Sequence, residues 1–126
     1  DMDAQLDIFD SLSREHQIEL LRSAIHEYAT HADLSQRLVR YYKAGDLRRL
    51  ADLSTEAFVF LGDTALREQL ENAMLHSRNE AMASTLLEAM TEADVYVAVG
   101  ALHLPGETGL LAAFERAGYG IHPLKP

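Results

Sequence analysis

Through most of the chain, apolar residues recur three and four positions apart, which is the spacing of one face of a helix. From residue 3 to about residue 94 this pattern predicts a series of helices. Ser13 and Asp46 are placed to cap two of them. Residues 57–61 have the composition of a buried strand, but their neighbours favour helix, so we interpret them as helical. Residues 64–92 contain no Pro or Gly and predict one long helix.

The pattern changes after residue 94. Residues 95–99 are a short β-favouring run that is apolar on both faces, which predicts a buried strand. Residues 108–117 predict a helix, and residues 120–124 predict a second short strand. A strand, a helix and a strand in that order imply a right-handed parallel crossover. We therefore predict an α/β fold in a single domain, helical over 1–94 and a β-α-β unit from residue 95 onward.

Two strands are too few for a parallel sheet, which normally has more strands and is covered on both faces. We expect the other strands in an N-terminal portion outside this sequence, or in a second copy of the chain within a homo-oligomer. The chain also begins at Asp1 inside an apparently helical segment. This abrupt start agrees with the first alternative, a piece of a longer protein.

Composition and charge restrict the function classes. Hydrophobic residues make up 48% of the 126 residues, enough for one core. Twenty acidic and eleven basic residues give a net charge of −9, which is the wrong sign for a surface that binds nucleic-acid phosphates. With no cysteine, disulfides, thiolate catalysis and zinc–thiolate sites are excluded. No apolar run approaches the roughly 20 residues that span a bilayer.

The clearest candidate chemistry lies in the loop after the predicted strand. In open parallel sheets, ligands bind beyond the carboxyl ends of the strands, and His103 is placed there. Gly100 and Gly106 relieve steric limits on this loop, so backbone groups can approach a ligand while His103 serves as a metal ligand or general acid/base. On spacing alone, the simpler interpretation is a glycine-rich turn with an exposed histidine. Glu107 suits a helix start whatever its function, or serves as a second ligand or proton acceptor.

Arg78 is the most informative residue of the long predicted helix. It follows Met74 by four positions and precedes Met82 by four, so we expect its guanidinium to emerge from an apolar stripe and to need a partner. That partner is either a structural carboxylate or a carboxylate or carbonyl of a substrate. The adjacent Asn79 is placed to cap or orient a loop.

Several segments resemble the C-terminal hallmark of the TraB/PrgY/GumN (TIKI-like) family. They are residues 77–83 (Ser-Arg-Asn-Glu-Ala-Met-Ala), residues 97–107 (Val-Ala-Val-Gly-Ala-Leu-His-Leu-Pro-Gly-Glu) and residues 118–119 (Gly-Tyr). Residues 2–6 also resemble the stretch that follows a family glutamate. The resemblance covers nearly the whole chain and is weak through residues 30–70.

Members of this family are typically more than twice as long. They carry two G-x-x-H motifs, an acidic residue and an Arg-Asn pair, and the TIKI branch is described as metal-dependent proteases related in fold to erythromycin esterase-like and ChaN-like proteins. Gly100 and His103 match the second G-x-x-H motif, while Arg78 and Asn79 match the Arg-Asn pair. The first motif is not in this sequence. The resemblance therefore implies the C-terminal part of a longer protein.

The resemblance also implies a function for the whole protein and an inactive state for this part alone. The implied function is a metal-dependent, peptidase-like hydrolase of a peptide or small-molecule substrate. His103 would help to hold Mn²⁺, Co²⁺ or Zn²⁺, with Arg78 and Glu107 catalytic and Gly100, Gly106 and Asn79 binding. The acidic partner is missing unless Asp1 or Asp3 takes its place.

Two other functions stay open from the sequence. One is a non-catalytic protein of the pheromone-shutdown type, which binds and sequesters a peptide. The other is a helical interaction module stabilised by self-association. Kinship alone implies a periplasmic or membrane-associated location.

Overall fold

The computed structural model describes residues 2–26, 28–56 and 61–124, with side chains described for 6–25, 33–56 and 61–124. This part of the chain is built from helices. A π-helical turn, Asn72–His76, joins two of them without a break, and a 3₁₀ turn spans Ala101–His103. The α-helices are α1 (Met2–Asp10), α2 (Arg14–His26), α3 (Tyr28–Ala44), α4 (Leu47–Glu56), α5 (Thr64–Glu71), α6 (Ser77–Met90) and α7 (Leu110–Arg116).

Short polar side chains begin the helices, as the sequence predicts. The Ser13 hydroxyl accepts a hydrogen bond from the backbone N–H of His16 at 3.2 Å, at the start of α2. Asp46 Oδ1 accepts from the N–H of Arg49 at 3.1 Å, at the start of α4. Because the first N–H groups of a helix have no partner within it, these bonds determine where each helix begins. Both predicted caps are confirmed.

Two buried regions lie on either side of the continuous α5–α6 element. One is a cluster of four leucines, of which one follows α1, one precedes α5 and two lie in α5, and Ile8 and Leu20 pack against it. The other lies where α4 packs on the 3₁₀ turn and α6 on α7. Because α5 and α6 are joined through the π turn, the two regions are held in one framework. The buried side chains are Leu12, Leu61, Leu66 and Leu70 in the first region, and Leu50, Leu53, Asn79, Ala83 and Leu110 around the second.

Helices α3 and α4 pack against each other as a hairpin. The Arg37 guanidinium donates two hydrogen bonds to the carboxylate of Glu56, at 2.6 and 2.7 Å. This bidentate geometry sets the orientation of the two helices more strongly than a single contact would. The hairpin forms one wall of the larger cavity described below.

The predicted C-terminal β-α-β unit is wrong. In the described ranges there is no strand, and residues 95–99 and 120–124 have no regular secondary structure. A strand exists only when its backbone pairs with another, and no described segment lies alongside either run to pair with it. Residues 96–99 instead line a groove with α6, and Tyr96 is 93% exposed. The predicted helix between the runs does exist as α7, so the regular secondary structure of the described residues is helical and the predicted α/β fold class is wrong.

Some expectations fall outside the described part. Residues 57–60 are among them, and of that predicted helical segment only Leu61 is described, as a fully buried residue outside any helix. Asp1 and the side chain of Asp3 also lie outside it. The homo-oligomer that would supply further strands stays a prediction. Among the helices described, none is long and apolar enough to span a membrane.

Candidate functional site

Two tight structural features bring the predicted site residues together. The π turn before α6 is closed by a hydrogen bond from the N–H of Ser77 to the carbonyl of Asn72. A π turn contains one residue more than an α-helical turn, so it rotates the following residues by about 100° relative to a continuous α-helix. This rotation sets the direction of Arg78 and Asn79 in the first turn of α6. The 3₁₀ turn is closed by a 2.9 Å bond from the N–H of His103 to the carbonyl of Gly100.

The buried side chain of Asn79 joins α6 to the loop that carries the histidine. Asn79 is 3% exposed. Its Nδ2 donates to the carbonyl oxygen of Thr108 at 2.9 Å, and its Oδ1 lies 2.7 Å from Nδ1 of His103. A carbonyl oxygen only accepts, so the bond to Thr108 determines which end of the amide faces the imidazole. Asn79 therefore holds both ends of the 103–108 loop.

This arrangement also determines the tautomer of His103. Because Oδ1 of Asn79 only accepts, Nδ1 of His103 must carry the hydrogen. In the neutral imidazole, Nε2 then keeps its lone pair. Burial lowers the pKa of His103 below its usual value of 6.5, and the positive charge of Arg78 lowers it further. Near neutral pH the residue is a neutral imidazole whose Nε2 has no hydrogen-bond partner among the described residues.

The lowered pKa of His103 predicts a pH dependence of stability. The unfolded chain takes up a proton on this imidazole near pH 6.5, whereas the folded chain does so only at lower pH. The contribution to stability is therefore complete above pH 6.5 and is lost as the pH falls from there through the folded pKa. Urea unfolding between pH 7.5 and 5 should show this decrease in the free energy of unfolding. The decrease should be smaller in His103→Gln. An equal slope in the two proteins would contradict the assignment.

A cavity of about 490 Å³ lies beside the imidazole and contains Arg78, Gly100 and His103 in its lining. Leu38 and Tyr42 of α3 contribute apolar surface to the same lining. A methyl group on Gly100 would stand 3.6 Å from Cδ2 of His103, in van der Waals contact with the ring edge beside Nε2. The structure thus brings Arg78 and His103 to the lining of one cavity, and their predicted roles in a common site stay predictions.

The predicted burial of Arg78 is wrong, because its side chain is exposed. Met74 lies within the π turn and Arg78 in the helix that follows it, so their four-residue spacing is not the spacing of a regular helix and does not define one stripe. Within the described ranges Arg78 forms no ion pair, and the structural carboxylate that we considered for it is not found there. Its guanidinium is therefore open to a ligand in the cavity.

Glu107 is not brought to the imidazole. Its side chain is exposed, and it belongs neither to the lining of this cavity nor to that of a smaller cavity described below. Helix α7 begins only at Leu110, so Glu107 does not stand at its start. Its backbone carbonyl accepts a hydrogen bond from Arg116 at 2.8 Å. Gly106 has a φ of +86°, a conformation that favours glycine, and it lines a second, smaller cavity. Of the two, only Gly106 lies near the site, and its predicted role stays a prediction.

The second cavity, of about 140 Å³, adjoins the first and shares Ser54, Leu75 and Leu102 with it. Asn79 and Glu71 are also in its lining. Sequence reasoning missed Glu71 and Ser54. No motif distinguishes either residue, and Glu71 has the spacing of an ordinary solvated helix position. Ser54 is brought to the site by the packing of α4 on the 3₁₀ turn, and Glu71 by its position at the end of α5, just before the π turn.

His103 fits the role of one metal ligand but does not complete a metal site. Metal-binding histidines usually donate their other ring N–H to an oxygen acceptor, as His103 does to Asn79. In the described part of the chain, however, no three His, Asp or Glu side chains are grouped to hold an ion. The further ligands of a metal would have to lie elsewhere.

Comparison with known proteins gives one match. Residues 1–123 match the family model described as the TraB/PrgY/gumN family. The searches of curated proteins and of solved structures returned no match.

Proposed function

Because the chain belongs to the TraB/PrgY/gumN family, we propose that it supplies one half of a hydrolase site for peptide or amide bonds. In this proposal His103 contributes Nε2 as a metal ligand or proton acceptor, and Arg78 stabilises negative charge that develops on the substrate. The observation that supports it is the Asn79–His103 hydrogen bond, which leaves Nε2 free in the cavity that Arg78 also lines.

His103 is suited to this role by its protonation and by its rigid support. A neutral imidazole near pH 7 can coordinate an ion or accept a proton from water. The bond to buried Asn79 restricts rotation of the ring, so Nε2 keeps one direction relative to α6. A divalent ion such as Mn²⁺, Co²⁺ or Zn²⁺, when bound, would polarise a water or a carbonyl oxygen.

Arg78 is suited to binding oxygen atoms of a substrate. Its guanidinium is exposed at the cavity and carries a fixed pattern of N–H donors, which match a carboxylate or a developing oxyanion. Its positive charge also contributes to the lowered pKa of His103. Arg78 therefore favours the neutral, ligating form of the imidazole while it binds the substrate.

A second function is a binder that sequesters a peptide without cleaving it. The observation that favours it is the single imidazole in the larger cavity, with no grouped acidic side chains among the described residues. In that case Arg78 recognises a carboxylate or carbonyl and no bond is broken. Incubation of the full-length protein with peptides, followed by mass spectrometry, separates the two functions, because only hydrolysis produces new termini.

The metal role of His103 can be tested by titration of the full-length protein with Mn²⁺, Co²⁺ and Zn²⁺ in a calorimeter. We expect His103→Ala to weaken binding of the preferred ion by about tenfold or more, since a coordinating group is lost. His122→Ala is the matched control, because His122 is exposed and lines neither cavity. Equal affinities of the wild type and His103→Ala would exclude His103 as a ligand.

A further inference from the structure

A carboxylate oxygen with no hydrogen-bond partner lies at the smaller cavity. Oε1 of Glu71 is shielded from solvent and accepts no hydrogen bond from the described residues. Glu71 belongs to the lining of the 140 Å³ cavity next to Asn79. A shielded carboxylate oxygen without a donor is unfavourable, so such a group is normally paired with a donor or a cation. The cavity beside it has room for that donor.

Several groups around this cavity can accept a hydrogen bond from a ligand. The Ser54 hydroxyl already donates its hydrogen to the carbonyl of Ala51 at 2.8 Å, which leaves its oxygen lone pairs available. Pro105 has no backbone N–H to donate. Among the described residues of the lining, Glu71 is the only one with an acidic side chain, and none is Lys or Arg. An occupant of this cavity should therefore be a cationic hydrogen-bond donor.

The nearest basic residue in the sequence does not neutralise Glu71. Arg67 precedes it by one helical turn, but its Nη2 donates to the carbonyl of Leu61 at 3.4 Å. No ion pair joins Arg67 to Glu71 within 4.0 Å, although both side chains are described. The Nε of Arg67 is also buried without a partner. The carboxylate therefore has no counter-charge among the described residues, and a cation in the adjoining cavity would supply one.

The size of the cavity limits the occupant. An apolar protein cavity of about 150 Å³ holds a benzene molecule, which has six heavy atoms. A cavity of about 140 Å³ is thus large enough for an ammonium group on a short aliphatic stem. Leu75 and Leu102 supply apolar surface for the stem. We propose that this cavity binds a primary ammonium group, with the Glu71 carboxylate as its counter-charge and the Ser54 hydroxyl as a second acceptor.

The ammonium site lies next to the site of the proposed reaction. The two cavities share Ser54, Leu75 and Leu102, so a single ligand can occupy both. A substrate with its reacting carbonyl near His103 would place a primary amine beside Glu71. The substrate class is then a peptide with a free amine close to the bond that is hydrolysed. This extension rests on the proposed function. The binding of an ammonium ion does not itself depend on the proposed hydrolase function.

The first experiment uses two probes of equal size, n-butylammonium and n-butanol, with the full-length protein. Affinities are measured by calorimetry, and the methyl NMR signals of Leu75 and Leu102 report where each probe binds. We expect the ammonium ion to bind about tenfold or more tightly than the alcohol, because only the ion pairs with a carboxylate. Glu71→Gln keeps the shape of the side chain and should remove most of this preference.

Glu68→Gln is the matched control, because Glu68 lies on the same helix and is exposed. It should keep the preference for butylammonium. Equal binding of the two probes, no saturable binding of either, or an unchanged preference in Glu71→Gln would overturn the proposal. The last two results would indicate that water or Arg67 satisfies Glu71. Thermal unfolding of both variants checks that the fold is retained.

A second experiment separates this site from the proposed hydrolase site and identifies the source of the amine. His103→Ala should still bind butylammonium. A negative metal titration therefore does not contradict the ammonium site, and a negative butylammonium result does not contradict the metal role of His103. Short peptides with a free or acetylated N-terminus, each with lysine or norleucine at the second position, are then compared. Loss of affinity on acetylation identifies an N-terminal amine, and loss on removal of lysine identifies a side chain. Equal affinity of all four would overturn the extension to peptides.

Discussion

Asn79→Ala is expected to lower the free energy of unfolding by about 2 kcal/mol, because it removes two hydrogen bonds of a buried side chain and leaves two partly shielded polar groups without these partners. Those groups are the Nδ1–H of His103 and the carbonyl of Thr108, which bond to opposite ends of the Asn79 amide. Alanine cannot replace either bond. Urea unfolding monitored by circular dichroism measures the loss. The same variant should weaken metal binding to the full-length protein, because the imidazole is no longer held in one direction.

Two comparisons make the Asn79 prediction specific. Asn72→Ala is the matched control, since Asn72 is exposed in the π turn, and its effect should stay within about 0.5 kcal/mol. Nitrogen NMR of the imidazole should show the hydrogen of His103 on Nδ1 in the wild type. In Asn79→Ala that preference should disappear. A hydrogen on Nε2 in the wild type would contradict the proposed bond and the role of Nε2 with it.

Gly109→Ala is expected to destabilise the fold by about 3 kcal/mol or more, by overlap with the backbone. Gly109 is buried where the loop meets α7, and a Cβ atom there would collide with the carbonyl oxygens of Leu104 and Pro105. Its φ of −76° is open to any residue, so the requirement for glycine is one of space. Since those atoms belong to the loop between His103 and Thr108, the substitution should also displace the imidazole.

Gly62→Ala is the matched control for this prediction. An added Cβ at Gly62 has no neighbour within 4 Å among the described residues, and the substitution also restricts the unfolded chain. We therefore expect a change within about 0.5 kcal/mol for Gly62→Ala in the same thermal or urea unfolding experiment. If Gly109→Ala were as stable as Gly62→Ala, the close approach of the loop to the start of α7 would be wrong.

Much of the helical framework could be predicted because its signals are local. The spacing of apolar residues and the caps at Ser13 and Asp46 depend on neighbours within one or two turns. The long pattern over residues 64–92 is confirmed as α5, the π turn and α6 in one continuous element. The π turn itself carries no comparable signal, because it differs from an α-helical turn by one residue that packing accommodates.

The wrong strand predictions show the opposite case. Residues 95–99 have strong β propensity, but that propensity measures how side chains fit a paired, pleated surface. In the described part of the chain no partner segment provides that surface, and residues 96–99 lie against α6 instead. Local composition therefore cannot decide whether such a run becomes a strand.

For the candidate site, the residues themselves and the motif spacing were sufficient to single out Arg78, Asn79, Gly100 and His103. The arrangement of these residues in space could not be predicted in the same way. The bond between Asn79 and His103 joins positions 24 apart, and the bond from Asn79 to Thr108 spans 29. The exposure of Arg78 and the shielding of Glu71 likewise depend on how α4, the π turn and the loop pack together. A residue's chemical capacity is local, whereas its tautomer, burial and partners depend on neighbours that only folding brings near.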